Sequence, residues 1–305
     1  MTPPAHPEKP RSVVGAASRR TRSPRGSRRV SGATTPRDAV TNDLAAHWAL
    51  ILGASSGHGA GAAIEFARAG MNVFGVHLDL RATLPNARRV VNEIRELGGR
   101  AEFFNANAAD PAKRRLIVEQ VRSRLGQGAH LRLLMHSLAF GTLRPYVPEE
   151  RGQAVTQKQV EMTLDVMAHS LVYWVQDLLY AGLLAPGSKV FAMTSAGSHR
   201  VLPAYGPTGA AKAALEYHVK HLAVELSSRG IAVNAIQAGV TDTPALRKIP
   251  GHEQMLQVGL ERNPGGRITT PKDVARTMLV LAGSDSAWLT GNTIKVDGGE
   301  DLTML

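Results

Sequence analysis

Cysteine is missing from all 305 residues, which excludes disulfides and thiol chemistry and fits, without requiring, a cytoplasmic protein. Long apolar runs are missing too. None approaches the roughly 18–20 residues of a membrane-spanning helix, so no membrane partner is expected. No internal repeat is present. Acidic residues are scarce in one place only. Residues 1–40 carry nine Lys/Arg against Glu8 and Asp38, whereas the rest of the chain carries 27 basic and 23 acidic side chains. The pI near 10.3 therefore belongs mainly to the N-terminal segment and says little about the remainder.

That segment, residues 1–44, is rich in Pro, Ser, Arg and Gly and has no apolar period. It cannot bury enough surface to offset its ordering entropy, so it is expected to be a disordered basic tail. It lacks the apolar stretch of a secretory signal. Its arginines leave organelle targeting or a nucleic-acid-binding arm as alternatives to plain disorder, and nucleic acid is the less expected partner. Residues 45–305 have the length of one large α/β domain.

From Trp48 onward, short apolar runs alternate with longer periodic segments. WALIL, MNVFGVHL, AEFFNAN, LRLLMHS, SKVFAMTS, IAVNAIQAG and NTIKVDGG read as seven strands. Between them lie helical segments, one opening on Asp110-Pro111, one closed by Gly98-Gly99, and a long one running from Met162 to Leu184. Helical crossovers of ten or more residues imply parallel pairing, and nearly continuous apolar strands imply a sheet covered on both faces. The expected fold class is α/β: a doubly wound parallel sheet of Rossmann-like type, a single domain with a short substrate-covering lid.

In such sheets ligands bind beyond the carboxyl ends of the strands. The first strand runs directly into GASSGHG, with Gly53, Gly57 and Gly59, and then into a helix. Glycines there let the backbone turn tightly and approach a pyrophosphate at the helix N-terminus. Ser55 and His58 of this turn join the glycines as candidate dinucleotide contacts. Asp79, at the end of the second strand, would accept hydrogen bonds from the adenosine ribose and repel a 2′-phosphate, whereas Arg81 would attract one. The cofactor is thus NADH or NADPH, with Asp79 tilting the balance toward NADH.

The stretch AYGPTGAAK carries Tyr205 seven residues before Lys212, with Thr208 one turn before the lysine. Seven residues is close to two helical turns, ~10 Å along an axis. Pro207 disfavours helical geometry at Gly206, which puts Tyr205 in the loop before the helix. Thr208 has too weakly acidic a hydroxyl to replace a phenol well.

Together the glycine turn, Asn107, Ser195, Lys212, AGVTDT after the sixth strand and the terminal VDGG resemble the short-chain dehydrogenase/reductase family over nearly all of residues 48–305. Within it, HSLAFG (136–141), DVMAHSLVYW and the Tyr205-x6-Lys212 spacing are similar to the enoyl-acyl-carrier-protein reductases of fatty-acid synthesis. GTLRP, GSHRVLPAYGPTGAAKAALE and LAVELS look closest to the branch called FabL.

The resemblance implies an NAD(P)H-dependent reduction of the carbon–carbon double bond of an enoyl thioester carried by acyl-carrier protein or coenzyme A. It implies that Tyr205 bonds the thioester oxygen and stabilises the enolate, and that Lys212 binds the nicotinamide ribose. Thr241 would serve the carboxamide, Thr243 the pyrophosphate, Asn107 the adenine, and His136 another cofactor contact. Many enoyl reductases have a second aromatic residue where this chain has Ser195, which remains a secondary substrate contact and also matches the serine usual in the wider family. The long helices before and containing Lys212 would assemble a homotetramer. Two other readings stay open: a ketoacyl or carbonyl reductase of the same family, and a non-catalytic dinucleotide-binding subunit.

Two further expectations concern apolar residues. Met162, Met167, Tyr173 and Trp174 are expected in the core or a subunit interface rather than a substrate pocket. Residues 244–267 occupy the place of the lid, with apolar residues that either line an acyl pocket or pack a helix pair.

Overall fold

The computed structural model describes residues 44–283 and 287–303. The expected basic tail lies outside them except for Leu44, which is buried, so the folded part includes that residue.

Among the described residues seven strands are found where the apolar runs predict them: β1 (Trp48–Leu52), β2 (Asn72–His77), β3 (Ala101–Asn105), β4 (Leu133–His136), β5 (Lys189–Thr194), β6 (Ala232–Ala238) and β7 (Thr293–Val296). They form one sheet in the order β3-β2-β1-β4-β5-β6-β7, and each neighbouring pair is parallel. The chain order switches between β1 and β4, which puts the ligand crevice at the carboxyl ends of those strands.

Among the described residues there are eight α-helices, most of them on the sheet faces: α1 (Gly57–Arg68), α2 (Leu84–Glu96), α3 (Pro111–Leu125), α4 (Gln157–Leu164), α5 (Ser170–Tyr180), α6 (Gly206–Ser227), α7 (His252–Arg262) and α8 (Pro271–Gly283). Every residue of β2, β4 and β5 is buried, as a doubly covered parallel sheet requires. Period-2 alternation divides the strands between two cores. Leu50, Phe74, Leu134 and Val190 pack with α3, α5 and α6, whereas Ile51, Val73, Met135 and Phe191 pack with α1, α2 and α8.

Local chemistry sets the helix ends. Asp110 accepts hydrogen bonds from the amides of Ala112 (2.8 Å) and Lys113 (3.0 Å), satisfying two otherwise orphaned donors before Pro111 opens α3. Thr156 and Gln159 form a reciprocal capping box on α4.

The expected continuous helix from Met162 to Leu184 is not continuous. It begins at Gln157, passes through a π-helical turn over Asp165–His169, and ends at Tyr180. Ser170 supplies a physical reason, since its hydroxyl donates back to Val166 O (2.8 Å) while also meeting His136 Nε2 (2.9 Å). A side chain competing for a helical carbonyl widens the turn. Trp174 stays in the core as expected and donates to Ala108 O at 2.8 Å. No helix among the described residues is long and apolar enough to cross a membrane.

Candidate active site

The glycine turn is built around contacts that side chains would forbid. Gly53 has φ +89°, and a Cβ on it would lie 2.3 Å from Ser137 O. A Cβ on Gly59 would lie 2.0 Å from Gly53 O, so the first turn of α1 sits directly on the loop below it. Ser56 caps α1 without a side-chain hydrogen bond, and the first turn holds no acid. Its amides are therefore free of side-chain competition at the positive end of the helix dipole, which fits the pyrophosphate of a dinucleotide. Gly59→Ala is expected to raise the cofactor dissociation constant by at least ~tenfold, because the backbone cradle must shift. Fluorescence titration checks this.

Asp79 stands two residues beyond the end of β2. Its carboxylate meets His77 Nδ1 at 2.8 Å, and its backbone is clasped by Asn105, which bonds both its N (3.0 Å) and its O (2.9 Å). Burial alone would raise its pKa, but hydrogen bonds from Thr83, Ser55 and His77 hold it below the ordinary carboxylate value. Ser55 thus ties the glycine turn to Asp79. Arg81 is exposed, and so is Asn107, whose side chain caps Ala109 N at 3.0 Å. These residues lie outside the main cleft.

The main cleft opens beyond β4, β5 and β6, with an empty volume of about 1130 Å³ including its open mouth. It brings together six of the sequence-predicted residues: His58, Ser195, Tyr205, Lys212, Thr241 and Thr243. Tyr205 is the N-cap residue of α6, outside the helix as expected, but Gly206 is helical despite preceding Pro207. A glycine, lacking Cβ, escapes most of the clash that proline imposes on its predecessor. The preceding Ala204 has φ +58°, a left-handed conformation that costs energy in a non-glycine residue.

The phenol of Tyr205 lies 3.5 Å from Ser195 Oγ. Burial pushes its pKa above the ordinary phenol value, and the serine offsets this only in part, so Tyr205 keeps its proton at neutral pH. Two turns on, Lys212 is buried and donates to Met193 O at 2.7 Å. Burial lowers its pKa to about 8, with Glu216 opposing the fall. Lys212 is therefore mostly protonated at neutral pH. The same ammonium, added to burial, lowers His58 to about 4, leaving a neutral imidazole in the cleft. His58 Nδ1 is buried without a partner among the described residues, as a group reserved for a ligand would be.

Other expected residues are placed differently. His136 does not line the cleft. It is fully buried on Ser170, and burial lowers its pKa to about 3, so it supports the cleft from behind. Strand alternation turns its side chain toward α5, while the following loop, from Ser137 to Leu143, supplies lining residues instead. Met167 is in the core as expected, 1% exposed, and from the π turn it also borders the cleft. Thr241 and Thr243 already use their hydroxyls locally, on Gly239 O (2.9 Å) and Leu246 N (3.1 Å).

Residues 244–267 do contribute to the pocket. Leu246, Ile249 and Met255 face it, the last of them from α7. Sequence reasoning missed Glu300, a cleft carboxylate accepting from Val240 N at 2.9 Å. Nothing in a terminal Glu-Asp pair signals that placement.

A family model described as Enoyl-(Acyl carrier protein) reductase matches residues 53–301. The chain belongs to the short-chain dehydrogenase/reductase family. It is similar to the 1-cyclohexenylcarbonyl-CoA reductase of Streptomyces collinus, with 30% identity over 82% of this chain and 85% of that one. It is equally similar to the cyclohexanol dehydrogenase of an Acinetobacter species, with 30% identity over 82% of this chain and 93% of that one. Among solved structures, the enoyl-[acyl-carrier-protein] reductase (NADH) of Aquifex aeolicus superposes with TM-score 0.75 over 86% of this chain and 99% of that one, at 23% identity, which speaks for the fold. The chain is an oxidoreductase of the short-chain dehydrogenase/reductase family. Since relatives of equal identity carry names for different reactions, the reaction has to be argued from the site.

Proposed function

We propose that the cleft reduces the α,β-double bond of an enoyl thioester. The observation that carries this reading is the placement of the phenol. Tyr205, at the head of α6, is the cleft's sole tyrosine among the described residues, whereas the position one turn before Lys212 holds Thr208. A carbonyl reductase needs an acid beside the carbon that receives hydride. In an enoyl thioester the charge instead develops on the thioester oxygen, two carbons further away. Moving the phenol from the first full helical turn to the N-cap suits that displaced oxygen.

NADH or NADPH, when bound, would supply the hydride for the β-carbon, and a proton from solvent at the α-carbon completes the reduction. Gly53, Gly57 and Gly59 hold its pyrophosphate, with Asp79 and Ser55 toward the adenosine. Tyr205 donates a hydrogen bond to the thioester oxygen and stabilises negative charge there, in an oxyanion-hole role. Lys212 adds a fixed positive charge that favours the same developing charge. Leu138, Met167, Leu246 and Met255 supply an apolar wall for the acyl group and exclude water. The acyl carrier is acyl-carrier protein or coenzyme A.

Steady-state turnover tests the reading. Crotonyl-CoA should be reduced and acetoacetyl-CoA should not, with either nicotinamide. Activity on acetoacetyl-CoA alone would move the protein to the ketoreductases. Silence on both with intact cofactor binding would favour a non-catalytic subunit.

NADH is the proposed preferred nucleotide, because the ionised Asp79 would face a 2′-phosphate. Asp79→Asn is expected to shift the NADH/NADPH ratio of kcat/KM toward NADPH by at least ~tenfold, as relief of like-charge repulsion. An unchanged ratio counts against the role.

The proposed assembly is a homotetramer through α5 and α6, whose outer faces leave Tyr180, Tyr217 and Val224 exposed. A monomer by light scattering overturns it.

A further inference from the structure

The segment after β7 folds back over the carboxyl ends of the strands as a short 3₁₀ turn, Glu300–Leu302. This turn and Thr303 after it reach two walls of the cleft. Glu300 holds the loop after β6 through Val240 N at 2.9 Å. On the lid side, Arg262 at the end of α7 donates to Thr303 O (2.6 Å), and Thr303 Oγ1 donates back to Arg262 O (2.7 Å).

Asp301 makes the most demanding set of contacts. Its carboxylate side chain is 8% exposed, and it meets Arg200 Nη2 at 2.6 Å, Lys295 Nζ at 2.6 Å, and His199 Nε2 and Gln237 Nε2 each at 3.4 Å. Arg200 also donates to the Asp301 backbone carbonyl at 3.3 Å. Lys295 and Gln237 belong to the β7 and β6 strands, so on that side the carboxylate is fixed to the rigid sheet. Arg200 and His199 belong to the loop between β5 and α6.

That loop is the one carrying Tyr205, and it needs an anchor. It leaves β5 at Ser195, bends through Ala196–Ser198, and reaches Tyr205 through the left-handed Ala204. Its middle projects outward, with Val201 98% exposed. Its inner side closes on the tyrosine, since a Cβ on Gly197 would lie 2.5 Å from the Tyr205 ring. A strained residue persists only where its surroundings over-determine it. In this loop the charged anchor between strained Ala204 and the sheet is the Arg200–Asp301 pair. Two charge-assisted bonds of 2.6 Å to a largely buried carboxylate are the strong kind.

We infer that Asp301 is a positioning residue for Tyr205: by tying Arg200 to the ends of β6 and β7, it holds the β5–α6 loop in the one conformation that presents the phenol to substrate. This role rests on the reading that Tyr205 is the working phenol. Asp301 itself does not line the cleft and touches no reacting atom.

Two variants test it, Asp301→Asn and the more exposed Arg200→Met, which removes the loop half of the pair and leaves Lys295 and Gln237 in place. The first readout is amide hydrogen exchange of the full-length protein without substrate. Both variants are expected to speed exchange across residues 196–205 relative to β5 and α6, and unchanged protection there overturns the anchor whatever the reaction. The second readout is crotonyl-CoA turnover. Each variant should lose about tenfold or more in kcat through misplacement of the phenol, with cofactor affinity retained. The double variant Asp301→Asn/Tyr205→Phe should be no slower than Tyr205→Phe alone, because a residue acting through the phenol has nothing left to position. Losses that multiply, or a fall in cofactor affinity equal to the fall in rate, would instead make Asp301 a general structural residue. Faster loop exchange in a protein whose wild type ignores crotonyl-CoA would keep the anchor and overturn the enoyl reading.

Discussion

Tyr205→Phe is expected to lower crotonyl-CoA turnover by about 10²–10³-fold, the usual cost of removing one oxyanion donor from a water-poor site. Cofactor affinity should stay within a small factor of wild type, because the ring is kept and only the hydroxyl is lost. The loss should appear in kcat and in kcat/KM together, since the hydrogen bond strengthens as charge develops on the thioester oxygen. The phenol's pKa is raised by burial, so the tyrosine remains a donor through neutral pH and its own titration does not limit the rate there.

Two companions make this result specific. Ser195→Ala removes only a neighbour 3.5 Å from the phenol and should cost less than Tyr205→Phe. Thr208→Val should change little, because in this reading Tyr205 rather than the threonine meets the thioester oxygen. The opposite pattern, with Ser195 essential and Tyr205 dispensable, would identify carbonyl reduction.

Lys212→Met should separate function from stability. Activity should fall by about 10²-fold or more as the fixed charge lining the cleft is lost. Stability of the cofactor-free protein should rise. The sign follows from the pKa, which burial lowers from 10.5 to about 8. Below pH 8 the folded protein holds a buried ammonium that the unfolded chain would solvate, and this opposes folding by on the order of 3 kcal/mol. Between pH 8 and 10.5 the folded amine is neutral while the unfolded one is charged, so the penalty fades as pH rises.

Methionine has no such penalty at any pH. It does lose the 2.7 Å bond to Met193 O, worth about 1 kcal/mol, so a net gain of ~1–2 kcal/mol is expected at neutral pH. Urea denaturation at neutral pH and again near pH 10 checks both parts: the variant's advantage should shrink at the higher pH. Wild-type turnover should itself decline above about pH 8 as Lys212 loses its proton.

Much of this site can be read before any coordinates exist, because it depends on short-range rules. A glycine turn between an apolar strand and a helix has one geometric use, and Gly53 and Gly59 fill it with contacts no Cβ could survive. The Tyr205–Lys212 spacing is legible too, but its meaning comes from the resemblance to the enoyl reductases, since Tyr205 stands outside the helix as its N-cap. His136 misled for a related reason: its motif is legible, but the side-chain direction at a strand's end depends on register with the neighbouring strand. The π turn was not legible because periodicity assumes an unbroken helix, and one serine hydroxyl competing for Val166 O interrupts it.

The chain's own pattern therefore determined the doubly wound sheet and the glycine turn that opens α1, because each follows from propensity, alternation or spacing within a few residues, whereas the roles proposed for Tyr205 and Lys212 come from the resemblance to the enoyl reductases. Tertiary structure alone decided the electrostatic state of Lys212 and His58, the apolar wall contributed by the lid, and the bridge from Asp301 to Arg200 across a hundred residues of chain. Burial and long-range ion pairing depend on which distant segments meet, and no local pattern records that.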